Sequence, residues 1–164
     1  MRGAWAIAAI ALVAATGVRA DTEDYYEAVR CSHALADPDS GKLSADARRK
    51  CIVAVATTYI EGEENSIPPE KELLAEDVAR HLIGTPRVYA PDGRKKIIAA
   101  QPFSYVIGAI RNRHWTVDGD DAWILYDGYL KADMAKPGFD VAERITVEKG
   151  LIREILVVAV AHLQ

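Results

Sequence analysis

From Phe103 to Val160 the chain runs through segments rich in β-branched and aromatic residues with period-two side chains. Three turn signals divide them: Asp118-Gly119-Asp120, the stretch Lys131 to Gly138, and Glu148-Lys149-Gly150. Segments of this length with Gly- and Asp-bearing connections predict an antiparallel meander, which must bury one face against something. Upstream the hydrophobic period becomes helical. Ser44 as N-cap opens a helix to about Glu61, with Cys51, Val55 and Tyr59 at i, i+4, i+8 and Ile52, Ala56 and Ile60 beside them. That broad apolar stripe is the natural cover for the sheet. Gly62 is expected to stop this helix. An earlier helix, Thr22 to Ala36, carries Tyr25, Tyr26, Val29 and Leu35 as its apolar positions and ends at the turn formers Asp37-Pro38-Asp39-Ser40-Gly41. Ser66-Ile67-Pro68-Pro69 predicts a short helix through about Ala75, followed by a short strand Val78 to Ile83 and a short helix from Arg94 to about Ala100.

Two positions in the meander break its pattern. Glu143 shares strand parity with Phe139, Val141, Ile145 and Val147, an otherwise apolar face. Burial disfavours a carboxyl's charged form, so Glu143 is either neutral, or paired (with Arg111 or Arg113 as candidates), or at an open edge. The final segment, Leu151 to Val160, is apolar on both faces after Arg153-Glu154 and therefore needs two covers. The long helix supplies one. A second subunit, or the Thr22–Ala36 helix folded back, supplies the other.

The N-terminus changes which residues belong to the mature chain. Arg2, the apolar run Trp5 to Val18 and the small-residue site Val18-Arg19-Ala20 form a secretory signal peptide cut after Ala20. The run is shorter than the roughly 20 residues a spanning helix needs. The expected organisation is a leader at 1–20, an N-terminal helix and turn at 21–43, and one α+β domain at 44–164, secreted or periplasmic. Losing Arg2 and Arg19 takes the formal charge from −4 to −6, which argues against nucleic acid or an anionic membrane as the main partner. In an oxidising compartment the only two cysteines, Cys31 and Cys51, are expected to form a disulfide.

Motifs for established chemistries are missing. The four histidines are scattered, without His-x-His or Glu-x-x-His spacing, and there is no Gly-x-Ser-x-Gly, phosphate loop or dinucleotide fingerprint. No metal or cofactor is expected.

The order of elements does resemble one family. A long helix ending near Tyr59, a short helix, Leu74-Ala75-Glu76-Asp77-Val78 entering a strand, a Gly-led short helix and a long meander resemble the NTF2-like superfamily, which includes SnoaL-like proteins and ketosteroid isomerase. The resemblance covers roughly residues 45–160. It implies a curved antiparallel sheet wrapped around the long helix, with an apolar pocket between them and pairing of two copies through the outer sheet. Set against ketosteroid isomerase, Tyr59 falls at an oxyanion-hole Tyr. Glu143 falls at the protonated acid of the same hole, a device for binding a carbonyl or enolate oxygen. Leu82 falls at the general base, where it can move no proton; His81 is adjacent and is the candidate base if it, rather than Leu82, faces the pocket. Asp127 is an alternative acid or base, and Tyr105, Trp115, Trp123 and Tyr126 are candidate pocket walls. The expected function is binding of a small hydrophobic molecule, with isomerase- or lyase-like chemistry open. The alternative is a non-catalytic interaction domain of the cell envelope.

Overall fold

A computed structural model of the chain describes residues 22–65, 71–83, 93–100 and 107–162. The expected leader, Ser66 to Pro69, and Tyr105 lie outside these residues.

Helix α1 spans Thr22–Ala36, and Asp37 caps the 3-10 turn Pro38–Lys42 by accepting from the Asp39 N–H at 2.7 Å. Helix α2 spans Ala45–Asn65, and its N-cap is Ser44, whose Oγ accepts from the Ala47 N–H at 3.1 Å. Gly62 does not end α2. A glycine inside a helix costs about 1 kcal/mol, and burial of the adjoining turns, where Tyr59 and Ile60 are wholly enclosed, outweighs it. The helix expected through Ala75 is likewise corrected. Lys71–Leu73 is a 3-10 turn, and strand β1 (Leu74–Ile83) begins at Leu74 because that residue pairs with Ile152 of β5. Helix α3 (Arg94–Ala100) follows, then β2 (Ile107–Asp118), β3 (Asp121–Leu130), β4 (Phe139–Glu148) and β5 (Leu151–Ala161).

The sheet order is β1-β5-β4-β3-β2. Strands β2 to β5 form the expected antiparallel meander, and β1 adds to β5 in parallel, so the sheet as a whole is mixed. β5 is thereby an internal strand, hydrogen-bonded on both edges. Between Arg111 and His114 the β2 register slips by one residue, with Asn112 at φ 55°, a bulge that re-aims the strand beyond it.

Helix α2 lies on one face of this sheet. Ile52, Val55, Ala56, Tyr59 and Ile60 join Ala122, Ile124, Ile145, Val147, Ile152 and Ile155 in one core. Arg48 at the start of α2 is ion-paired with Asp120 in the β2–β3 turn. Both side chains are more than one-third exposed, so the pair contributes less than about 1 kcal/mol. Helix α1 does not cover the second face of β5. It packs on α2, to which the Cys31–Cys51 disulfide joins it, and its Ser32 backbone abuts Gly150 in the β4–β5 turn. Ala28, Cys31 and Leu35 form the buried stripe that directs it there. The outer sheet face is left with Leu125 and Val160 exposed.

Candidate functional site

Alternation along each strand and register between strands together decide which side chains share a surface. Leu82 of β1, Val157 of β5, Glu143 of β4, Ile124 of β3 and Trp115 of β2 are successive partners and form one row across the sheet. Ile124 is fully buried, Val157 nearly so, and Leu82 and Trp115 pack against the core, so this row faces α2. Glu143 stands in its middle with no solvent exposure, between Val141 and Ile145 along its own strand. The open-edge placement of this acid is excluded.

Tyr126 is the diagonal cross-strand neighbour of Glu143 on the same face, and its hydroxyl donates to Glu143 Oε2 at 3.1 Å. Tyr59, fully buried on α2, belongs to the same core. One row along, Arg80 of β1 is paired with the buried Ile155, and its guanidinium carbon lies 5.9 Å from the centroid of the Tyr59 ring. Among the described residues, this face brings the Glu143 carboxyl, the Tyr59 and Tyr126 side chains and the half-buried Arg80 into a hydrophobic surround.

The remaining candidates separate by parity. Trp115 points to the inner face. His81 is the partner of Leu156, points outward, is 58 % exposed, and has Nε2 3.9 Å from Glu154 Oε1. Leu82, one residue on, takes the inward position, so no imidazole reaches the helix side from β1. Asp127 and Trp123 also point outward, one residue out of phase with Tyr126 and Ile124. Asp127 accepts from Asn112 Nδ2 at 2.6 Å, and Trp123 lies with its ring centroid 5.9 Å from the Arg144 guanidinium. Asp127 instead borders an outer-face groove of about 560 Å³ with His114, Leu125, Asp140, Val158 and Val160. Arg111 is not a counter-ion for Glu143, since it pairs in register with Asp127 and stacks 4.4 Å from the Tyr129 ring centroid.

Two features went beyond sequence reasoning. Tyr126 is the hydrogen-bond partner of Glu143 and not merely a wall, and Arg80 belongs to the inner face. The signal for Arg80 was present, since it shares the alternation of Val78 and Leu82. Among the described residues, no group of three or more His, Cys, Asp or Glu side chains is placed to hold a metal ion, and no helix is long and apolar enough to cross a membrane.

No family model and no curated protein matches the sequence. Solved structures do match the fold. A provisionally named ketosteroid isomerase from Kribbella flavida superposes with a TM-score of 0.55 at 17 % identity, over 69 % of this chain and 80 % of its own. An NTF2-like protein of unknown function from Mesorhizobium loti gives 0.55 at 16 % identity, over 68 % and 93 %. Another, from Burkholderia xenovorans, gives 0.54 at 9 % identity, over 69 % and 85 %. Identities this low speak for architecture alone. With two N-terminal helices followed by a five-stranded mixed sheet, the chain has the NTF2-like α+β fold.

Proposed function

We propose that this is an exported NTF2-like domain whose inner sheet face binds a small, mainly apolar molecule through one oxygen atom. The observation that carries the proposal is Glu143, wholly enclosed in a hydrophobic row and hydrogen-bonded by Tyr126. A carboxyl in such surroundings favours its protonated form, and a neutral carboxyl donates a hydrogen bond that an ionised one cannot. A fold needing only stability would gain by placing Leu at this position, because an apolar residue there carries no desolvation cost. Glu143 and Tyr59 are the donors to the ligand oxygen, and Tyr126 orients the carboxyl. The name of the Kribbella flavida neighbour is compatible with such a ligand. Proton transfer to or from carbon would fall to Glu143 itself, because His81 and Asp127 face away, and the proposal therefore stops at binding.

Carbon-detected NMR titration of the carboxyl groups tests this directly. Glu143 is expected to remain protonated well above the ordinary carboxylate range, and titration within that range would end the neutral-donor reading. Glu143→Leu is expected to fold with equal or greater stability while losing affinity for carbonyl-bearing apolar probes.

A second reading is favoured by the outer face. Leu125, Ala142, Val158 and Ile83 form a continuous apolar row there, and Leu125 and Ile83 are each 55 % exposed. A second copy seated on this row would cover what α1 leaves open, as the alternative of an interaction domain requires. Light scattering on the mature chain is expected to report a dimer that Leu125→Asp dissociates. A monomer at all concentrations would remove this reading without touching the first.

A further inference from the structure

We infer that two copies of this chain pack their outer sheet faces about a two-fold axis that runs across the strands at Ala142, so that in each copy Arg144 meets the partner's Asp140. This rests on the reading of the outer face as a dimer surface and specifies its symmetry and its charge pairing.

The apolar row of that face, through Val158, Ala142 and Leu125, is flanked by two unlike rows. On one side stand Leu156, Arg144 and Trp123, and on the other Val160, Asp140 and Asp127, each set joined strand to strand by register. Along β4 the outward residues are therefore an acid, an alanine and an arginine, with each charge about 7 Å from the small central residue. Both charges have a diagonal neighbour on the β5 side. Arg144 Nη2 lies 2.6 Å from Glu154 Oε1, and His162 Nε2 lies 2.8 Å from Asp140 Oδ1. His162 stands one residue past β5, where its N–H still extends the ladder to the Gly138 carbonyl at 2.9 Å. The face thus carries two polar pairs of opposite sense, one on each side of the apolar row.

Two sheets packed face to face as an isologous dimer can be related by an axis along the strands or by one across them, and charge decides between the two. An axis along the strands sets Asp140 on the partner's Asp140 and Arg144 on the partner's Arg144, which is repulsive at both points. An axis across the strands at Ala142 exchanges the flanking rows. Arg144 then meets the partner's Asp140, and Glu154 meets the partner's His162. Stacked sheets lie about 10 Å apart, a gap that an arginine and an aspartate bridge together. No side chain has to leave its present neighbour, because the two diagonal pairs join into one network, and the symmetry repeats that network twice.

Shape agrees with charge. The outer groove of about 560 Å³ lies on the acidic side, bordered by Leu125, Asp127, Asp140, Val158 and Val160. The same rotation presents to it the partner's Trp123 and the partner's Leu156, the bulky residues of the opposite row. Trp123 and Val160, both exposed in the single chain, are covered by one contact.

Sedimentation equilibrium on the mature, disulfide-bonded protein tests this with two variants of opposite sign. Asp140→Lys reverses the acid, and Arg144→Glu/Glu154→Lys exchanges the signs of one diagonal pair while keeping that pair within the chain. Each variant alone sets like charges together twice and is expected to self-associate on the order of a hundredfold more weakly than the wild type. Mixed in equal amounts, the two are expected to form a heterodimer near wild-type affinity, because both cross-subunit contacts again join opposite charges. That recovery also shows that the variants are folded. If the double variant does not melt cooperatively, Arg144→Gln takes its place, and it must bind Asp140→Lys more tightly than either binds itself. A wild-type dimer that either charge reversal leaves intact, or folded monomeric variants that stay apart when mixed, overturns the inference and leaves the dimer reading standing. A wild-type protein that is monomeric at all concentrations removes the dimer reading, and the inference with it.

Discussion

Replacing Gly150 with asparagine should cost the protein about 3 kcal/mol or more, whereas the same replacement at Gly119 should cost only a few tenths. Both glycines sit in hairpin turns with left-handed backbone, at φ 78° and 60°. Asparagine tolerates that conformation better than most residues, so the φ value alone predicts a small and similar effect at the two sites. The difference lies in what a Cβ would meet. At Gly119 there is open space, while at Gly150 the added carbon would overlap the Ser32 carbonyl of α1. Backbone cannot step aside as a flexible side chain can, so either the β4–β5 turn or α1 must move and core contacts are lost with it. Urea unfolding of the two variants beside the wild type measures this. Equal small losses would mean that α1 is not seated against the turn.

Opening the Cys31–Cys51 disulfide is the second large effect. The bond closes a loop of 20 residues that contains the whole of the Pro38–Lys42 turn. In the chain-entropy account this removes about 3 kcal/mol of freedom from the unfolded chain. For a domain of this size that amounts to a melting temperature lower by roughly 10 °C in the Cys31→Ser/Cys51→Ser double variant, or in the wild type under reductant. Calorimetry with and without reductant reads it, and the double variant must be insensitive to reductant. Because the bond and the Gly150 approach hold the same helix, their effects should not add. Once α1 is no longer tethered, Gly150→Asn should cost less than it does in the disulfide-bonded protein. Strict additivity would mean that each contact stabilises independently, contrary to one seated helix.

Much of the architecture was legible because it is written in short-range periods. The α2 stripe from Ile52 to Ile60 follows the helical repeat, whereas on α1 the buried stripe is Ala28, Cys31 and Leu35, to which only Leu35 of the expected positions belongs, and Tyr26 is exposed. The β2–β3 and β4–β5 hairpins are marked by Gly119 and Gly150, the residues that accept a left-handed backbone most readily. Where local signals failed, a partner distant in sequence had overruled them. By local signal Gly62 is a stop, but the core under Tyr59 and Ile60 carries the helix past it. By local signal Leu74 and Ala75 end a helix, but Ile152 draws Leu74 into the sheet.

The candidate site divides in the same way. Alternation along β4 was enough to mark Glu143 as an acid on an apolar face, because strand parity depends only on neighbours in sequence. Parity without register could not say which of two faces meets the helix. Sequence alone leaves open whether His81 or Leu82 faces the pocket and admits Asp127 as an acid or base, whereas pairing of Leu82 with Val157 and of Asp127 with Asp140 puts His81 and Asp127 on the outer side. A slip of one residue exchanges the two faces of a strand, and the bulge at Asn112 shows that this chain does slip.

By itself, then, the sequence determined the two helices, the meander and the one acid out of place, since each is a property of a few consecutive residues. Tertiary structure alone decided the parallel seat of β1, the bond from Tyr126 to Glu143, and the company of Arg80 and Tyr59. These join residues between 17 and 78 positions apart, and only the packing of α2 on a registered sheet brings them together.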